Sequence, residues 1–157
     1  MKTLKTIFVL SMLLFVAGVY DLKAQSTVYF FVDFRFWNSE YVFNVNGNEA
    51  FKLIPEGKPI SKSVPTIMYN MVARKVTFSK AGSYVVAVDC PSAKGTYHAE
   101  TNLNLEDGET YYVVINSNMK KAVYMEVVSE KDGLKLLKKA QKSDKYTFNE
   151  DFTYNEN

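Results

Sequence analysis

The chain has 157 residues, a formal net charge of +2 and one cysteine. Lys2, Lys5, Lys23 and Asp21 together supply that +2, so the sequence after residue 24 is neutral, which excludes an overall basic attraction to nucleic acid or anionic membrane. A lone Cys90 excludes an intramolecular disulfide, so packing has to hold the fold together.

At the N-terminus Lys2 and Lys5 precede an apolar run from Ile7 to Tyr20, which breaks at Asp21-Leu22-Lys23-Ala24-Gln25. A charged start, a short apolar core and a small residue at its end form the pattern of a signal peptide over residues 1–24, too short to span a bilayer comfortably. Cleavage after Ala24 leaves a chain of roughly 130 residues, the size of one domain, released to a periplasmic or secreted location. No cysteine stands near the cleavage point to accept lipid.

Beyond that point the dominant signal is alternation with period two, which sends successive side chains to opposite faces of a sheet. In VYFFVDFRFW, Val28, Phe30, Val32, Phe34 and Phe36 share one face, and Tyr29, Phe31, Asp33, Arg35 and Trp37 the other, giving a strand with one core face. YVFNV (Tyr41 to Val45), Asn46-Gly47-Asn48 and AFKLI (Ala50 to Ile54) predict a hairpin around an Asn-Gly turn. Pro55 to Pro65, with three of the four prolines, reads as a loop. Strand signals resume at Ile67 to Phe78, turn at Lys80 to Ser83, continue in Tyr84 to Cys90, and return in Tyr97 to Leu105 with His98, Glu100, Asn102 and Asn104 on the wet face. TYYVVI and AVYMEVV complete the series. The predicted fold is all-β, an antiparallel β-sandwich of about seven or eight strands, immunoglobulin- or prealbumin-like, with a short C-terminal α-helix. That helix is expected over Gly133 to Lys142, capped by Ser129, with Leu134, Leu137 and Gln141 as its apolar stripe beside Leu136 and Ala140. Residues 25–142 thus form a single domain, followed by an acidic and aromatic tail, 143–157, expected to fray although its aromatics could add an edge strand.

Glu106-Asp107-Gly108-Glu109 crowds three carboxylates around a glycine. Glycosidase chemistry requires two carboxyls held about 5–10 Å apart across a cleft, and calcium requires more oxygen ligands than four residues supply. A hairpin turn, with glycine where positive φ is needed, accounts for the stretch.

From this stretch onward, LNLEDGETYYVVINSNMKKAVYMEVVSEKDGLKLLKKAQK resembles the C-terminal half of Domain of Unknown Function 2846 proteins: a hydrophobic strand, an acidic-glycine turn, a Tyr-Tyr-Val strand, a further strand and a Leu-Lys-rich terminal helix. STVYFFV, VNGNEAFKL and VTFSKAGSYVVAV extend the resemblance over roughly Ser26 to Lys142, with Lys80-Ala81-Gly82 lacking the family's proline. The resemblance implies an exported bacterial β-sandwich protein with no assigned activity.

Among residues able to carry chemistry, Cys90 and His98 fall on opposite faces by strand parity, which argues against a nucleophile and base pair. One histidine and one cysteine are too few soft ligands for a metal site, phosphate loops are absent, and no cofactor is expected. Lys131, Lys135, Lys138, Lys139, Lys142 and Lys145 suggest either an anionic partner or a solvated face opposed by Glu150, Asp151 and Glu156. The most suggestive binding feature is DFRFWNSEY, where Arg35, Trp37 and Tyr41 could stack on a sugar or anchor a protein, unless Trp37 only closes the end of the sandwich. Two function classes follow. One is a non-enzymatic binding module of the envelope, its partner a protein or glycan, with no nucleic acid and no integral membrane segment after signal removal. The alternative is an exported hydrolase using Asp33, Glu40 and Glu100.

Overall fold

The computed structural model describes residues 25–33, 40–61, 64–92, 95–117 and 123–156. The expected signal peptide, and the strand residues Phe34 to Trp37 with Arg35 among them, lie outside the described residues. The described chain is mostly β with one helix: β1 (Ser26–Val32), β2 (Tyr41–Val45), β3 (Asn48–Leu53), β4 (Gly57–Ser61), β5 (Val64–Tyr69), β6 (Met71–Phe78), β7 (Gly82–Ser92), β8 (Gly95–Leu105), β9 (Thr110–Asn116), β10 (Tyr124–Val128), α1 (Glu130–Lys142), β11 (Tyr146–Phe148) and β12 (Phe152–Tyr154).

These strands form three sheets. A six-stranded sheet runs β10-β9-β1-β6-β11, with β12 also on β6; a four-stranded sheet runs β3-β2-β7-β8; β4 and β5 make a separate hairpin. The hairpin replaces the expected Pro55 to Pro65 loop, and Asn70 divides the expected Ile67 to Phe78 strand in two. Nor is the pairing antiparallel throughout, because β1 pairs β9, and β6 pairs β11 and β12, in parallel. Parallel neighbours need a long crossover, and the whole four-stranded sheet lies in the chain between β1 and β9.

The Asn-Gly hairpin forms as expected: Asn46 and Gly47 both have positive φ, 51° and 81°, as a two-residue primed turn requires. Glu106 to Glu109 is also a turn. Glu109 N–H donates to the Glu106 carbonyl at 3.3 Å and Gly108 has φ 79°, the type II arrangement. It is not a hairpin tip, however, since β8 and β9 belong to different sheets and the turn carries the chain from one to the other. Ser26 Oγ donates to the Glu106 carbonyl at 2.6 Å and Thr27 N–H to that of Glu109 at 2.9 Å, fastening the turn to β1.

The inner faces of the two large sheets share one core. Phe30 meets Phe43 edge-on at 5.1 Å, Phe43 stacks on Phe51 at 4.8 Å, and Phe78 packs on Tyr84 at 4.9 Å, geometries aromatic rings favour. β1 and β9 are covered on their other face as well. Phe31, Ala73, Tyr112, Ala140 and Tyr146 form a second cluster beneath α1, so β1 has two core faces rather than the expected one.

The helix begins three residues before its expected start. Ser129 Oγ accepts from Asp132 N–H and donates to the Asp132 carboxylate at 2.7 Å, which caps a first turn holding Glu130 and Asp132. Its contact face is Gly133, Leu136, Leu137 and Ala140; Leu134 and Gln141, expected in the apolar stripe, face solvent. Gly133 allows the close approach: a Cβ there would stand 2.0 Å from the Tyr112 Cγ.

The tail does not fray. β11 and β12 continue the six-stranded sheet along β6, Tyr146 enters the cluster under α1, and Phe152 and Tyr154 pack against the main core. Arg74 ties this edge together. Its Nε donates to the Glu150 carbonyl and its Nη1 to the Lys52 carbonyl, both at 2.7 Å, while the guanidinium lies 5.2 Å from the Phe152 ring. Burial lowers the Arg74 pKa, with Glu150 and Asp151 opposing the shift.

Candidate polar site on the four-stranded sheet

The register of the four-stranded sheet collects polar side chains on the face turned away from the core. β7 and β8 pair Asp89 with His98 and Ala87 with Glu100, while β2 and β7 pair Asn44 with Ala87. Paired residues in an antiparallel ladder share a face, so Asn44, Asp89, His98 and Glu100 become neighbours. His98 Nδ1 lies 2.7 Å from one Asp89 oxygen, and Asn44 Nδ2 donates to the other at 2.9 Å. Glu100 stands on the far side of the ring, 3.8 Å from Nε2.

Asp89 therefore fixes the imidazole. A carboxylate accepting at Nδ1 puts the neutral ring's proton on that nitrogen and leaves Nε2 as an acceptor, which becomes a donor when the ring is charged. The hydrogen bond that Nδ1–H donates to Asp89 is the main cause raising the His98 pKa above its ordinary value; partial burial opposes it and Glu100 adds to it. The His98 side chain is 53 % exposed, so the ionic contact with Asp89 is worth at most about 1 kcal/mol. A raised folded-state pKa gives stability that is full below the unfolded value and fades as pH rises through the folded one. A proton NMR titration of the imidazole is expected to give a pKa above about 6.5, falling back towards it in Asp89→Asn. An unshifted wild-type titration would mean that Asp89 and His98 do not pair in solution.

An aspartate orienting a histidine is two thirds of a nucleophilic triad, but the third part is missing: among the described residues no hydroxyl or thiol is hydrogen-bonded to His98. Cys90, adjacent in sequence, points into the core, where burial and then Asp89 push its thiol up to about 12. The expected separation of Cys90 from His98 is what the fold has. Among the described residues no group of three or more His, Cys, Asp or Glu side chains is placed to hold a metal ion, and no helix is long and apolar enough to cross a membrane.

The other sequence candidates are scattered. Tyr41 is fully buried in the main core, where desolvation raises its pKa, so it is not part of an exposed binding surface. Arg35 and Trp37 lie outside the described residues. Asp33 accepts from the Tyr146 hydroxyl and from Lys139 Nζ at 3.1 Å on the helix side of the six-stranded sheet. Glu40 pairs with Lys52 at 3.5 Å, and Glu100 faces His98 on the outside of the other sheet. Asp33 and Glu100 thus stand on opposite outer faces of the stack. Asn44 and Asp89 carry no site signal in the sequence, because their significance depends on register. The alternation Val85, Ala87, Asp89 put Asp89 on the wet face, but only the hairpin length between β7 and β8 sets it opposite His98. No family model, curated protein or solved structure matches this chain.

Proposed function

We propose that the chain is an exported, non-enzymatic binding module of the bacterial envelope that recognises a hydroxyl- or amide-bearing ligand, a glycan or a peptide, on the outer face of its four-stranded sheet. The observation that carries this reading is the Asn44–Asp89–His98 network: polar groups held in fixed orientation on an exposed surface, with no hydroxyl or thiol hydrogen-bonded to the imidazole among the described residues. Preorganised polar groups lower the ordering cost of binding, which is what an exposed recognition face requires. Arg35 and Trp37 enter this reading from the sequence alone, as groups able to stack on a sugar or anchor a protein. The hydrolase alternative finds no support in Asp33, Glu40 and Glu100, each held by a different partner.

The same proposal takes the two-sheet stack as a variant of the immunoglobulin- or prealbumin-like sandwich, supported by the core the sheets share, and keeps the resemblance to Domain of Unknown Function 2846 proteins. Export rests on the Lys2, Lys5 and Ile7 to Tyr20 pattern and requires a mature N-terminus near Gln25. The binding test is an amide NMR titration of the mature chain with soluble muropeptides and neutral oligosaccharides. Shifts gathered at Asn44, Asp89, His98 and Glu100, and lost in Asp89→Asn, are expected. Turnover of a probe, or shifts confined to another surface, would sink the reading.

A further inference from the structure

On the opposite outside of the molecule, Lys131, Lys135, Lys138 and Lys142 recur along α1 at intervals of four, three and four residues. At about 100° per residue this spacing gathers all four within an arc of about 60°. Gly133, Leu136, Leu137 and Ala140 occupy the opposite arc and are spent on the sheet, so the lysines point straight out. Like charges three and four residues apart weaken a helix, and on an ordinary solvated face acids are interleaved to relieve them. Here Glu130 and Asp132 sit to the flanks of the first turn, and among the described residues no carboxylate pairs with any of the four lysines.

The tail acids expected to offset this charge lie elsewhere. Asp151 pairs with Lys75 at 3.3 Å, Glu156 with Lys80 at 3.6 Å, and the Glu150 backbone is held by Arg74. The mature chain is neutral, yet this one face concentrates positive charge, and a charged surface senses charge only within a Debye length of about 8–10 Å.

We propose that the outward face of α1 docks on a membrane surface carrying anionic lipid headgroups. Charge complementarity selects an anionic partner. A straight stripe on a helix about 20 Å long matches a plane. Leu134, 39 % exposed at the edge of the lysine arc in a shallow depression it shares with Glu130, Lys131, Lys135 and Lys138, offers an apolar contact at headgroup depth that a soluble polyanion would not use. Docked in this way, the chain holds the Asp89–His98 face away from the membrane; the inference itself stands whether or not that face binds a ligand.

Co-sedimentation of the mature chain with vesicles tests it. Binding is expected to vesicles in which roughly a third of the lipid is phosphatidylglycerol, not to phosphatidylcholine alone, and to disappear at high salt. Each lysine held near such a surface multiplies partitioning about fivefold, so the triple change Lys135→Gln, Lys138→Gln, Lys142→Gln should weaken it on the order of a hundredfold. The charge-matched triple Lys52→Gln, Lys75→Gln, Lys80→Gln should leave binding near wild type. Equal loss in both triples, or equal binding to both vesicles, overturns the proposal. Tighter binding to inorganic polyphosphate than to vesicles of matched phosphate content overturns the assignment to a membrane.

Discussion

Gly133→Ala is expected to destabilise the protein by about 2–3 kcal/mol, the scale of overpacking in a closed site. The sign is diagnostic, because alanine in place of glycine inside a helix otherwise stabilises by about 1 kcal/mol. Gly133 lies in the first turns of α1, whose contact face rests on Tyr112, and an added Cβ would meet Tyr112 Cγ at 2.0 Å, Cδ2 at 2.4 Å and Cβ at 2.5 Å. The helix would have to lift, and lifting it uncovers Phe31, Ala73 and Tyr146 as well. Tyr112→Ala alone removes a buried aromatic ring and should cost about 3–5 kcal/mol. In the double variant two of the three close contacts are gone, so the combined loss should fall short of the sum. Urea melts followed by circular dichroism measure all three. A stabilised Gly133→Ala would mean that α1 does not sit this close to β9.

Much of the strand content was legible because period-two alternation is a direct consequence of one buried face. β2, β3 and β8 follow it, and the Asn46-Gly47 turn follows from the need for two positive φ values. Alternation says nothing of partners, so neither the parallel pairing of β1 with β9 nor the passage between sheets at Gly108 could be read from it. A signal for the covered outer face was present in the continuous apolar runs Phe30 to Val32 and Tyr111 to Ile115, which mark strands buried on both sides. The helix supplies that cover, yet its contact face was misread because Gly133 and Ala140 are small and carry little hydrophobic signal, while Leu134 carries much and faces solvent. The candidate site was least legible. His98 and Glu100 were placed on the wet face, but Asn44 and Asp89 join them only through the register of three strands.

The tail was misread for a related reason: short, acidic terminal segments fray unless something ties them down, and the ties here come from far along the chain. Deleting residues 146–157 is expected to cost on the order of 4 kcal/mol, since Tyr146 is buried and Phe152 and Tyr154 are half-buried, and full burial of one large apolar side chain contributes about 1.5–3 kcal/mol. The deletion also strips β6 of two parallel partners and removes the side-chain anchors that hold the base of the β4–β5 hairpin, where Asn149 Oδ1 accepts from Ile54 N–H at 2.7 Å and Thr147 Oγ1 from Glu56 N–H at 3.1 Å. Arg74, on the inner face of β6, would lose both the Glu150 carbonyl and the Phe152 ring, leaving a cation at the mouth of an apolar core. Against a total stability of about 5–15 kcal/mol this loss can unfold the chain outright, so the point variants Phe152→Ala and Tyr154→Ala, each expected to cost about 1–2 kcal/mol, carry the same test in a folded background. A frayed tail makes the opposite forecast, a change within about 0.5 kcal/mol for every one of these variants, and denaturant midpoints at unchanged m-value separate the two outcomes.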